Sequence, residues 1–220
     1  MITITSALDK PRFKNVKQAI RSAEIEVFNN LPSKIKAKHV NYFFLAEAHN
    51  KAYYKQTKPR DLIVHLKMLQ LSAQYRFFAD LGMGFGGLCF AAEEATDIKE
   101  IVGFDLAKAI YGHAMRIKTH FGYKRCSFHL ADFTQVNLTP SRTGVSGVYH
   151  LFQPFFTDSV ALLQPAVGKL PSDSVVVATI LREEAPLIFP EKHFERIYPR
   201  TEKKSDQIGQ FVYLHTYLRR

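Results

Sequence analysis

The chain has 220 residues, 46% hydrophobic and 23% charged, which is ample for a packed core and excludes a disordered chain. Its longest plain apolar run, Val175 to Leu181, is far shorter than the ~20 residues of a membrane-spanning helix. The net charge of +10 is uneven: residues 1–70 hold 13 Lys and Arg against 5 Asp and Glu, and residues 71–220 hold 17 against 15.

Residues 1–70 read as a helical N-terminal extension. Asp9 is placed to cap a helix that takes Pro11 into its first turn. Phe13, Val16, Ile20, Ala23 and Val27 then recur at three- and four-residue steps, an apolar stripe on one helix face. Asn29, Asn30 and Pro32 end it. A second helical stretch is expected around Val40 to Lys51. A third, Asp61 to Leu71, puts Leu62, Leu66 and Leu69 on one face.

From Tyr75 the pattern changes. Strands are expected at Tyr75–Leu81, Glu100–Asp105, Ser127–Asp132, Gly147–Phe152, Ser174–Leu181, Phe194–Pro199 and Gln210–Leu218, with helices at Gly86–Ala95 and Ala107–Phe121. Strands alternating with helices argue for a parallel sheet covered on both faces. Two closing strands with no helix between them argue for one antiparallel strand at or near an edge. The expectation is therefore an α/β fold: a seven-stranded, mostly parallel, doubly wound sheet over 71–220, preceded by the extension at 1–70. Cys89 and Cys126 fall in apolar segments and read as reduced core residues of a cytoplasmic protein. The first residues, Met1 to Lys14, lack the pattern of a secretory leader.

The segment Asp80-Leu81-Gly82-Met83-Gly84-Phe85-Gly86-Gly87 carries the chemistry. It follows a strand and opens a helix, where glycines permit a tight turn and let a ligand approach the backbone. Gly82, Gly84 and Gly87 satisfy the dinucleotide spacing GxGxxG, whereas Asp80, Gly82, Gly84 and Gly86 satisfy DxGxGxG. A carboxylate two residues before the first glycine would repel a pyrophosphate. It suits S-adenosylmethionine, which bears an ammonium and a sulfonium and no phosphate. Asp105, at the end of the next strand, can accept both hydroxyls of a ribose. Asp132, after the third, can accept from an adenine amino group, with Phe133 packing on the base.

With these residues the chain resembles the class I S-adenosylmethionine-dependent methyltransferases over about Tyr53 to Leu218. The resemblance rests on DLGMGFG (Asp80 to Gly86), GFD (Gly103 to Asp105), ADF (Ala131 to Phe133) and the closing pair of strands. It implies that Asp80, Gly82, Gly84 and Gly86 surround the methionine part of the cofactor, that Asp105 holds the ribose, and that Asp132 and Phe133 hold the adenine. The 25 residues from Asp80 to Asp105 are slightly long for the family.

Two further segments bear on the methyl acceptor. After the fourth strand come Gln153, Pro154 and Phe155, where methyltransferases acting on nitrogen often place a polar residue, a proline and an aromatic. Gln stands here where Asn or Asp is usual. Upstream, Tyr54-Lys55-Gln56-Thr57-Lys58-Pro59 resembles the Y-x-x-T-x-P segment of the non-SET lysine methyltransferases, which implies that Tyr54 and Thr57 approach the cofactor's carboxylate end. The expectation is methyl transfer to a nitrogen nucleophile, a protein lysine or another amine, with an RNA or DNA base as the first alternative. A non-catalytic adaptor on the same fold is the second, and an NAD-dependent dehydrogenase the nearest enzymatic rival. A protein or nucleic-acid partner with an acidic surface suits the basic front, whose lysines include Lys34, Lys36, Lys38, Lys51, Lys55 and Lys58. The same front also reads as a solvated helical face. The nine histidines are scattered and match no metal-binding spacing.

Overall fold

In the computed structural model the described residues are 7–30, 59–136, 138, 146–152, 159–181, 184–198 and 212–220. Their strands belong to one mixed, mostly parallel seven-stranded sheet flanked by helices, in the order β3-β2-β1-β4-β5-β7-β6. The chain divides into two compact units, one of residues 1–30 and 58–133, the other of 31–57 and 134–220.

The first unit begins with helix α1 (Pro11–Asn30). Lys14 N–H donates to Lys10 O, so the cap position falls on Lys10 and not on Asp9. Pro11, lacking an N–H and fixed near helical φ, takes the first helical place. Helix α2 (Pro59–Met68) buries Leu62, Ile63, His65 and Leu66. The expected single helix over Asp61–Leu71 is broken at Gln70, whose φ of 58° is left-handed, and a short turn of helix, α3 (Leu71–Gln74), follows. Then come β1 (Phe77–Leu81), α4 (Gly87–Ala95), β2 (Glu100–Asp105), α5 (Lys108–Phe121) and β3 (Cys126–Leu130). β1, β2 and β3 are mutually parallel. All five residues of β1 are buried, as expected of a strand covered on both faces. Gly122 ends α5 in the left-handed conformation, its N–H bonded to Thr119 O while Tyr123 N–H bonds to Lys118 O. This turn satisfies the last carbonyls of the helix. The Glu93 carboxylate accepts the backbone N–H groups of Lys124, Arg125 and Cys126, which fixes the entry to β3 against the end of α4.

Helix α1 packs on α4 and α5. Phe13, Val16 and Ala23 of the expected stripe are buried, and Ile20 and Val27 are half-buried. At its first turn, Arg12 donates to the free carbonyl of Phe121, pairs with Glu94 at 3.2 Å and lies over the Tyr123 ring at 4.5 Å. Arg12 remains 46% exposed, so its ion pair contributes on the order of 1 kcal/mol or less. Each fully buried apolar side chain contributes about 1.5–3 kcal/mol. The stripe therefore holds α1 in place, and the charged face does not.

The second unit holds β4 (Val148–Phe152), α6 (Ser159–Val167), β5 (Val175–Leu181), α7 (Ala185–Ile188), β6 (Phe194–Tyr198) and β7 (Val212–Arg219). β4 and β5 are parallel. β7 runs antiparallel to both β5 and β6, which leaves β6 at the edge. The antiparallel strand is thus one place in from the edge. Cys89 and Cys126 are buried free thiols. No helix among the described residues is long and apolar enough to cross a membrane.

Candidate functional site

The site lies in the first unit, where the carboxyl ends of β1, β2 and β3 meet. Gly82, Gly84 and Gly86 have φ of 87°, 56° and 81°. The left-handed positions therefore alternate along the turn. Gly87 has ordinary φ, so the backbone follows the DxGxGxG spacing and not GxGxxG. The three glycines serve different ends. A Cβ at Gly82 or Gly84 would meet nothing within 4 Å, whereas one at Gly86 would lie 2.9 Å from Phe128 Cζ and 3.1 Å from Phe90 Cε2. Gly82 and Gly84 line an open cradle, and Gly86 lets the turn settle on the core.

Hydrogen bonds stitch the strand ends together. Gly82 and Met83 N–H both donate to Phe104 O, at 3.0 and 2.8 Å. Gly84 N–H donates to Asp105 Oδ2 at 2.9 Å, and Ala107 N–H to Asp105 Oδ1 at 2.8 Å. Ala131 N–H donates to Asp105 O at 3.0 Å. Asp105, 9% exposed, thus braces the glycine turn, the start of α5 and the exit of β3. Leu106 N–H is a third donor to the carboxylate, whose two oxygens together offer about four acceptor sites. Burial raises its carboxyl above the ordinary aspartate range, and nearby Asp80 adds to this. The N–H groups of Ala107, Gly84 and Leu106 pull the other way.

Asp80 ends up beneath the turn, 2% exposed, with Cys89 Sγ 3.9 Å from its Oδ2. Burial, and then the Asp80 charge, push the Cys89 thiol well up, so it stays protonated and can donate to the carboxylate. Asp132 and Phe133 are half-buried in the turn after β3. The strand stops at Leu130, two residues short of the expected Asp132, because the chain bends away once Ala131 has bonded to Asp105 O. Asp80 and Asp105 thus stand at the carboxyl ends of β1 and β2, and Gly82, Gly84, Gly86, Asp132 and Phe133 in the turns that follow β1 and β3. Tyr54, Thr57, Gln153, Pro154 and Phe155 lie outside the described residues, as do the helix expected at Val40–Lys51 and the lysines from Lys34 to Lys58.

Three contacts of this site are not expected from the sequence. Met83 lies flat on β2: a Cβ at Gly103 would come within 2.4 Å of its Sδ. A glycine inside a strand is itself a sign of such close approach. Ile20 of α1 covers the start of α4, its Cδ1 3.6 Å from where a Cβ on Gly87 would stand. Phe85 in the turn meets the edge of His113 on α5, with ring centroids 6.0 Å apart, and His113 Nε2 lies 3.7 Å from Glu26 Oε1 on α1. Burial, aided by Arg116, lowers the His113 pKa against the pull of Glu26. The ring is then mostly neutral at pH 7, and this contact is not a full ion pair.

Neither a protein-family model nor a curated protein sequence matches the chain. Solved structures do match its fold. Magnesium protoporphyrin IX methyltransferase from Synechocystis, solved with S-adenosylmethionine, aligns over 86% of this chain and 98% of its own, with a TM-score of 0.53 and 14% identity. TYW2 from M. jannaschii, also solved with S-adenosylmethionine, aligns over 77% and 80%, with a TM-score of 0.51 and 14% identity. An rRNA methylase from Streptococcus thermophilus aligns over 71% and 95%, with a TM-score of 0.50 and 11% identity. The chain has the Rossmann-like fold of class I S-adenosylmethionine-dependent methyltransferases.

Proposed function

We propose that the protein is an S-adenosylmethionine-dependent methyltransferase. The observation that carries the reading is the open cradle at Gly82 and Gly84, framed by two buried carboxylates, Asp80 and Asp105. Its backbone admits a close ligand, and its charge suits a cation and rejects a pyrophosphate. Structural neighbours solved with that cofactor support the same reading.

The cofactor brings its methyl group already activated on a sulfonium. The protein's part is to hold the reactants in line and exclude water. Asp80 favours the cofactor's cationic end. Asp105 accepts from the ribose, while its bonds to Gly84 and Ala107 keep the carboxylate from turning. Asp132 accepts from the adenine amino group, and Phe133 packs on the base. Tyr54 and Thr57 close the carboxylate end.

The acceptor is a nitrogen nucleophile aligned by Gln153, Pro154 and Phe155. An amine such as a protein lysine must first lose its proton, which an apolar pocket favours. A nucleic-acid base is the second reading, and the rRNA methylase among the neighbours favours it. Calorimetric titration with S-adenosylmethionine, S-adenosylhomocysteine and NAD tests the cofactor. Response to NAD alone would overturn the proposal. Labelled cofactor incubated with protein extract and with RNA then identifies the acceptor class.

A further inference from the structure

We propose that the exposed face of α1 is a docking row for the sugar–phosphate backbone of a single-stranded RNA, which it leads towards the glycine turn. This deepens the methyltransferase reading and rests on it, because it takes up the second of the two acceptor classes proposed for the same site, a nucleic-acid base.

The row is Lys10, Lys14, Lys17 and Arg21. Steps of four, three and four residues keep these positions within one narrow band of a helix. All four are exposed. The buried stripe of Phe13, Val16 and Ala23 lies to one side of the band, so packing the helix leaves the cations clear. Among the described residues no carboxylate lies within ion-pair distance of any of the four. Of the acids of the same helix, Glu24, half-buried, follows Arg21 by three residues, and Glu26 faces His113. Lys17 lies over the Phe13 ring at 5.9 Å, but among the described residues none of the four is in an ion pair, and four cations confined to one strip cost self-repulsion, which a polyanion relieves.

The geometry favours a nucleic-acid strand over an acidic protein patch. Residues one turn apart on a helix repeat every ~5.4 Å and the row runs for ~16 Å, a regular line that suits a regularly repeating anion. Asn15, Gln18 and Ser22 are exposed beside it and supply neutral donors for sugar and phosphate oxygens, including the 2′-hydroxyl that marks RNA. The row also has a direction. Its start is pinned by Arg12 to the far ends of α4 and α5, at Glu94 and Phe121. Its end lies at the glycine-turn end of both helices, where Ile20 covers Gly87 and Glu26 faces His113. A strand laid along the row is carried from the far end of the helices to the mouth of the cradle.

Fluorescence anisotropy of the full chain with a fluorescein-labelled 20-nucleotide single-stranded RNA, across a salt series, tests this. Each phosphate neutralised on a single strand contributes about −0.7 to the slope of log K against log salt. The variant K10Q/K14Q/K17Q/R21Q should therefore lose about 3 from the wild-type slope and at least tenfold in affinity at ~0.1 M salt. The variant K99Q/K124Q/K169Q/K192Q removes equal charge from other exposed positions and should keep the wild-type slope. Equal losses in the two variants, or none in the first, would overturn the proposal. So would a deoxy strand of the same sequence bound as tightly as the RNA, or polyglutamate bound as tightly and through the same four residues. Calorimetry with S-adenosylmethionine should give one affinity for all three proteins. A wild type that ignores the cofactor yet binds RNA through the row would sink the methyltransferase reading alone.

Discussion

Gly84 and Asp105 stand 21 residues apart in the chain, yet the backbone N–H of the first donates to a carboxylate oxygen of the second at 2.9 Å. The side chain proposed to hold a ribose therefore also fixes the turn proposed to hold the methionine part. Replacing Asp105 should damage both at once. Asp105→Ala is expected to weaken S-adenosylmethionine binding more than tenfold, since hydrogen bonds to a charged group contribute about 1.5–3 kcal/mol each. Calorimetry measures it, and an unchanged affinity would remove Asp105 from the site.

The same carboxylate predicts a pH dependence with two signs. Burial raises its pKa in the folded protein, so folding disfavours the ionised form. Its contribution to stability is then greatest in acid and is lost as the pH rises through the folded pKa. Cofactor binding needs the ionised acceptor and should weaken as the pH falls through that same pKa. The loss should begin above the ~3.9 of an ordinary aspartate. Titrations at a series of pH values on wild type and Asp105→Asn should differ in this window, with the variant flat across it.

The glycines of the turn should separate stability from binding. At Gly86 a methyl group meets Phe128 and Phe90, both buried, at a φ of 81°. Gly86→Ala is expected to cost about 2–5 kcal/mol, the sum of overpacking and backbone strain. At Gly84 nothing stands within 4 Å, and a φ of 56° costs an alanine only about 1–2 kcal/mol. Gly84→Ala should therefore stay folded but lose S-adenosylmethionine affinity tenfold or more, because its methyl enters the cradle. Denaturant unfolding paired with calorimetry reads both effects.

On α1, two neighbouring residues should behave very differently. Phe13 is 2% exposed, and Phe13→Ala should cost about 3–5 kcal/mol. Arg12→Ala removes a guanidinium that is 46% exposed together with its bond to Phe121 O, and should cost less, about 1–2 kcal/mol. Equal losses in thermal unfolding would mean that the ion pair and not the stripe secures the helix.

The features legible in the sequence are those with a local cause. β1 and β2 follow runs of buried apolar residues, and β2 matches its expected bounds because Asp105 and the following helix punctuate it. The glycine turn was legible because its conformation is set by residue type. Contacts made through tertiary packing were not legible. Nothing local to Ile20 says that it will cover Gly87, and nothing local to His113 says that it will meet Phe85. The sequence reading also missed α6, Ser159–Val167, which is short, apolar on several sides and holds Pro165, so it lacks the polar face that marks a surface helix. The break at Gln70 escaped notice because a non-glycine residue takes the left-handed conformation there.

The seat of α1 has a consequence for synthesis. Its stripe is complete by Asn30, but α5, one wall of its resting place, is not complete until Phe121. A ribosome adding ~5–20 residues per second takes roughly 5–20 s to cover that interval. Until then Phe13, Val16 and Ala23 lack part of their native surface, so a nascent chain halted before Phe121 offers an amphipathic, basic helix to whatever meets it first.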